Sequence, residues 1–220
     1  MYYLIKGVVF NSKIYKEQDK LVTIYSYECG KLQAIVPSAK KITAKLSSAT
    51  EPLTESEFMI CNNGFSSKVV GAKILENNSK IKNDFLKNLY AIYALEICDK
   101  FIPYNMENKN KYDLISRLWQ VLSDCKFHKR ALIAFILRFL KISGYSFLDY
   151  IKNTNISIDK KTVNSIKQLS NCSGNDVDIL CDVEDNEVWN YVESYLTNYI
   201  RRPSLSVFLQ KIERTNKTLF

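Results

Sequence analysis

What the chain lacks narrows its chemistry first. It holds a single histidine, His128, set among Lys126, Lys129 and Arg130, and neighbouring cations disfavour the imidazolium. A general base also needs an orienting partner, and none is indicated, so His128 reads as a structural residue at the surface. The six glycines are scattered and none falls in a strand-to-helix phosphate fingerprint. Cys29, Cys61, Cys98, Cys125, Cys172 and Cys181 stand singly, with no pair spaced two to four residues apart as zinc requires. The cysteines are expected to be buried free thiols, with no metal and no cofactor. Glu55 and Glu57 share one side of a strand without a metal partner and read as solvent-facing charges. No run approaches about 18 uninterrupted apolar residues, and the first ten residues lack the layout of a signal peptide. A cytoplasmic protein with no membrane partner is the expectation.

What is present is an ordinary globular composition over 220 residues, 46% hydrophobic and 25% charged, with an uneven excess of cations. Residues 1–80 carry 11 basic against 7 acidic side chains, residues 81–170 carry 15 against 8, and residues 171–220 carry 5 against 8. The net +8 admits two readings. A basic field attracts polyanions, nucleic acid first, whereas a genome favouring the codons of Lys, Asn, Ile and Tyr yields the same lysines as solvated charge.

The first 75 residues read as short strands at 2–10, 21–28, 31–36, 53–61 and 65–75, rich in β-branched and aromatic side chains. "ECGK" and "CNNG" supply hairpin turns, since Asn and Gly accept positive φ. Five short antiparallel strands leave exposed edges unless they close, which favours a small barrel. Alternation places Leu21, Thr23, Tyr25 and Tyr27 on one face, a candidate core. Beyond Leu75 the period becomes helical. A stripe from Phe85 to Ile102 is led by Ser79 as cap and stopped by Pro103; further helices are expected at 111–124, 128–142 and 184–200, with a patch at 161–169 in an otherwise looser stretch. The helix at 128–142 is apolar on nearly every side, as a buried central helix is, and Ser143 with Gly144 ends it. Pro203 suits the start of a last short helix.

Some residues fit polyanion binding. Lysines attract phosphates without reading sequence, and Tyr2, Tyr3, Tyr15, Tyr25 and Tyr27 offer rings for unpaired bases or for the barrel interior. Arg138, the lone charge within its apolar helix, either reaches the surface by its long stem or faces a groove where an anion pairs with it.

Taken together, "YKEQDKLVT" (15–23), Gly30-Lys31-Leu32, Ala39-Lys40-Lys41, Lys45-Leu46, Glu51-Pro52 and "ISGY" (142–145) resemble, in order and spacing, the pattern of the RecO family of bacterial recombination mediators. Lys16 stands where the family favours glycine, the two cysteine pairs of zinc-bearing members are absent, and "RRPSLSVFL" (201–209) keeps Phe-Leu without the family's Lys-Ser-Arg triplet. The resemblance implies an α+β chain: a five-stranded OB-fold β-barrel over 1–78, then an all-helical domain over 79–220 without a zinc finger. It implies a nucleoid-associated, non-enzymatic protein that binds single- and double-stranded DNA and anneals complementary strands. Its partners would be the acidic C-terminal tail of single-stranded-DNA-binding protein and RecR, with which it helps load RecA. Lys13, Tyr15, Lys16, Lys31, Lys40, Lys41 and Lys45 are the candidates for nucleic acid. Arg130, Arg138 and Lys141 are the candidates for the tail, as cations flanking an apolar helix able to receive an aromatic side chain. An OB-fold module that binds protein or RNA without annealing is the alternative.

Overall fold

The structure, a computed structural model, describes residues 1–38, 46–154, 156–172, 174–201 and 203. Five strands form where β-branched and aromatic residues alternate with turn residues: β1 Tyr2–Tyr15, β2 Asp19–Ser26, β3 Gly30–Val36, β4 Glu55–Asn62 and β5 Ser67–Glu76. They close into a barrel in the order β1-β2-β3-β5-β4. β1 runs well past the expected residue 10 because it serves two neighbours. Its first half pairs with β4, from Tyr2↔Cys61 to Val8↔Glu55, and its second half pairs with β2, as far as Tyr15↔Asp19. A bulge between Val9 and Asn11 bends the strand where the two pairings meet. The parallel contact Ile35↔Lys68 joins β3 to β5 and completes the circuit.

The barrel interior is filled by Ile5, Val9, Val22, Ile24, Leu32, Ala34, Val36, Phe58, Ile60 and Val69. The expected core face of β2 is therefore inverted: Val22 and Ile24 point inward, while Leu21, Thr23 and Tyr25 belong to the outer side. Tyr25 is nonetheless fully buried, because the wall it faces is covered. Five successive residues of β2, Val22 to Ser26, are buried, so the strand offers no contrast between faces for alternation to report.

The helices are α1 Ser79–Lys82, α2 Phe85–Phe101, α3 Lys109–Asp124, α4 His128–Ile142, α5 Phe147–Thr154, α6 Lys160–Asn171 and α7 Asp185–Leu196. Ser79 does not cap the long helix. α1 is a separate turn, and Asp84 starts α2 by accepting from the Lys87 N–H (3.0 Å), which holds its carboxyl below the usual range. α5 falls in the stretch expected to be looser, and α7 ends four residues before Ile200. The proposed last helix after Pro203 lies outside the described residues.

The chain divides into two compact units, Met1–Lys82 with Leu95–Tyr112, and Asn83–Ala94 with the chain from Asp113 onward. In the first, residues 95–112 cover the outer wall of the barrel. The Tyr25 hydroxyl donates to the Asn108 carbonyl (3.0 Å), the Tyr112 hydroxyl to Glu55 Oε1 (2.9 Å), and the Asn105 N–H to the Lys31 carbonyl (2.9 Å). Glu55 is thus buried, also paired with Lys6 at 2.8 Å, and only Glu57 of the two carboxylates is solvent-facing. In the second unit α4 is central, as expected, with every one of the eleven positions from Arg130 to Leu140 buried except Arg138. The Asp178 carboxylate accepts from the Lys126 and Phe127 N–H groups at its start. Gly144, at φ +84°, ends it as the Tyr145 N–H reaches the Leu140 carbonyl (2.8 Å) and the Gly144 N–H the Lys141 carbonyl (3.1 Å).

Gly30 is the more demanding glycine. Its φ is +72°, and a Cβ there would lie 2.2 Å from the Met106 carbonyl oxygen, backbone that cannot step aside; at Gly144 a Cβ meets nothing within 4 Å. Gly30→Ala is expected to cost about 2–4 kcal/mol, combining left-handed strain with overpacking, and Gly144→Ala only about 1–2 kcal/mol. Urea denaturation of the two variants side by side checks the difference.

Candidate nucleic-acid interface

Three of the sequence candidates gather at the β1–β2 hairpin. Lys13 and Lys16 are exposed, with Tyr15 half-buried between them, and the Lys16 ammonium lies 5.4 Å from the Tyr15 ring centre. Lys16 itself adopts φ +55°, the left-handed region. Ile14, 73% exposed, adds an apolar contact to this cationic tip.

The same hairpin anchors both ends of the lysine-rich segment that follows β3. Asp19 Oδ1 accepts from the Ser38 N–H (2.9 Å), and Lys20 Nζ donates to Ser47 Oγ (3.5 Å). Lys40, Lys41 and Lys45 lie outside the described residues, but residues 38 and 47 on either side of them are fixed to the first two residues of β2. No acid occurs anywhere between Gly30 and Thr50.

Lys31 does not belong to this surface. It is 4% exposed, its ammonium is 3.2 Å from Asp99 Oδ1, and the Tyr104 ring centre lies 4.3 Å away. A cation so enclosed is spent on holding residues 95–112 to the barrel, so the expectation that it meets phosphate is corrected. The expected stacking tyrosines divide in the same way. Tyr25 is buried, and burial pushes its phenol up; Tyr3 packs against the barrel core; Tyr27 is edge-on to Tyr112 at 5.4 Å, and Tyr2 is 69% exposed.

The candidates on α4 also separate. Arg130 is buried, its Nε 3.0 Å from Asp185 Oδ1 and its Nη1 2.9 Å from the Leu180 carbonyl. It ties α4 to α7 with Nε and Nη1 already engaged, so the expectation that this buried guanidinium meets an external carboxylate is corrected. Lys141 is exposed. Arg138, half-buried, reaches the Ser170 carbonyl at 3.4 Å and lines a shallow apolar groove with Leu118, Val121, Phe135 and Val177. A second guanidinium, Arg117, lines the same groove. Sequence reasoning passes over Arg117 because nothing in α3 marks which helix faces Arg138. His128 is half-buried rather than at the surface, and its imidazole is held below its ordinary value by burial first and Lys87 second. All six cysteines are free, but Cys29 and Cys181 are exposed, against the expectation of burial. Among the described residues no cluster of three or more His, Cys, Asp or Glu side chains is placed to hold a metal ion, and no single helix is long and apolar enough to cross a membrane.

With this geometry established, residues 1–78 match the family model for the N-terminal domain of recombination protein O. Residues 1–78 are thus similar to the N-terminal domain of the RecO family. Relatives of the chain include the DNA repair protein RecO of Clostridium perfringens, 28% identical with 76% of this chain and 79% of the relative covered. That of Listeria monocytogenes serotype 4b is 29% identical over 54% of this chain and 46% of the relative, and that of Syntrophomonas wolfei 25% identical over 66% and 58%. The match thus spans about half the length of the Listeria relative. The positive φ of Lys16 is one that glycine adopts freely: here a lysine accepts roughly 1–2 kcal/mol of strain and adds a charge to the tip.

The two kinds of lysine are separable by experiment. Lys31→Ala is expected to destabilise the protein by about 1–3 kcal/mol, the worth of hydrogen bonds to a charged group. It should leave the salt dependence of oligonucleotide binding unchanged. The double substitution Lys13→Ala/Lys16→Ala should keep stability within about 1 kcal/mol and shallow the log–log salt slope of single-strand binding by about 1.4. Thermal melts and anisotropy titrations on the same samples read both.

Proposed function

We propose that this protein is a DNA repair and recombination mediator that binds single- and double-stranded DNA and anneals complementary strands. In this reading the barrel of residues 1–78 is the nucleic-acid module and residues 79–220 form the helical, partner-binding module. The observation that carries it is the cationic hairpin tip fixed to both ends of an acid-free, lysine-rich segment, in a chain similar over residues 1–78 to the N-terminal domain of the RecO family. Such a track neutralises phosphates without reading bases, which suits a protein that must act on any sequence. Annealing then follows from screening: two strands repel through their phosphates, and lysines lining one strand weaken that repulsion while its bases stay open to the complement.

The helical unit supplies the partner site in this proposal. The groove between Arg117 and Arg138 combines apolar walls with two guanidiniums, the chemistry that receives an acidic tail ending in a large apolar side chain. The C-terminal tail of single-stranded-DNA-binding protein is the partner proposed for it, with Lys141 at its rim. Contact with RecR, and through it the loading of recombinase on coated strands in the bacterial cytoplasm, completes the proposal.

The test is to mix the protein with two complementary oligonucleotides, one labelled, bare or coated with single-stranded-DNA-binding protein, and follow duplex formation. Accelerated annealing of coated strands is expected. If about four lysine–phosphate contacts form, single-strand affinity should fall with a log–log salt slope near −2.8, roughly fiftyfold for a fourfold rise in salt. A flat salt response contradicts the electrostatic track, and stable RNA binding without annealing points instead to an RNA-binding module.

A further inference from the structure

Phe65 is the most exposed large apolar side chain in the described protein, at 99%. It sits at the tip of the β4–β5 hairpin, in the turn Asn62-Asn63-Gly64-Phe65-Ser66, and that turn is built rather than loose. The Asn62 Oδ1 accepts from the Gly64 N–H (2.7 Å), and the Asn63 Oδ1 accepts from the N–H groups of Phe65 (3.2 Å) and Ser66 (2.9 Å). The base of the hairpin is fixed in turn by Met1, whose ammonium donates to the Asn62 carbonyl at 2.8 Å. A phenyl ring with no polar handle is thus held fully in water on a backbone already ordered, so a ligand that covers it has little loop entropy to overcome.

The surroundings select the ligand. From Cys61 to Leu75 there is no acid, and Lys68, three residues from Phe65, is exposed; the more distant Lys73 stands opposite the exposed Glu57 of β4. The contact Ile35↔Lys68 sets this hairpin beside the end of β3, where the acid-free, lysine-bearing sequence resumes. An aromatic face with an exposed cation three residues away and no carboxylate in its turn matches the pairing of base stacking with phosphate attraction that single strands use. A duplex keeps its base faces stacked on one another and offers the ring nothing.

We infer that Phe65 is a stacking residue for an unpaired base and gives this protein its discrimination between single-stranded and duplex DNA. The inference rests on the DNA-binding reading above and extends it, because cations alone attract both forms. The ring makes no contact that folding needs, so its removal is a clean probe.

The experiment titrates the 220-residue wild type, F65A, F65Y and F65W with labelled oligo-dT of about 20 nucleotides and with a duplex of equal length. F65A should bind the single strand about 5- to 150-fold more weakly, with its salt slope unchanged and its duplex affinity intact. F65Y should restore the difference. In F65W the new, solvent-exposed indole should be quenched by oligo-dT, read as the difference from wild type, whose Trp119 and Trp189 are buried at 2% and 3% exposure and emit as a constant background. Equal single-strand affinity of wild type and F65A, or F65W emission indifferent to saturating oligo-dT, overturns the inference. Wild type that fails to bind oligo-dT overturns the DNA reading itself, an outcome distinct from a failure confined to Phe65.

Discussion

The nucleic-acid path proposed for this chain depends on the closure of its barrel. Four antiparallel pairings line the strands up, but the contact of Ile35 with Lys68, where β3 meets β5 in parallel, turns a curled sheet into a ring. Closure gives Ile5, Val22, Phe58 and Ile60 a common interior free of water, and it removes the edge along which a sheet of this length would aggregate. It also sets the surface. Because β1 is long enough to pair with β4 and then with β2, its hairpin extends to the place where β3 ends, and the β4–β5 turn is brought alongside β3 by the same contact that closes the ring.

The cations of the first unit are then divided between two tasks by their surroundings. Lys31 meets Asp99 and fastens residues 95–112 to the wall of the barrel, while Lys6 pairs across β1 and β4 with Glu55, the carboxylate that accepts from Tyr112. Lys13 and Lys16 face solvent at the hairpin tip. Net charge does not distinguish these groups, and neither does their spacing in sequence. A lysine with a carboxylate beside it and a ring above it contributes to the fold, whereas one on a strained turn, with φ of +55° in the case of Lys16, contributes a field.

How much of this was legible in the sequence follows from where pattern has contrast. α4 was readable to its ends, His128 and Ile142, because an apolar run between a polar start and a Ser-Gly stop has one interpretation. The number of strands and both hairpin turns were readable for the same reason. The inward face of β2 was not, since covering its outer wall buries Tyr25 as completely as Val22 and erases the alternation. α5 is eight residues long, too short for its period to stand out from a polar neighbourhood. Within the candidate site, charge was visible but its employment was not: Arg130 and Lys31 look like ligands for an anion until Asp185 and Asp99, 55 and 68 residues away, are placed beside them. Phe65 was passed over because an aromatic residue in a strand-rich segment suggests a core position, and only the turn geometry turns it outward.

The central claim is that a single strand follows one path across the barrel, past the hairpin tip, the ends of the lysine-rich segment and the β4–β5 turn. Ultraviolet crosslinking of the protein to a photoreactive oligonucleotide, followed by peptide mapping, tests it most directly. The account predicts adducts clustered in residues 13–20, 37–47 and 62–68. Adducts confined to the chain beyond residue 78, or spread evenly around the barrel wall, contradict it.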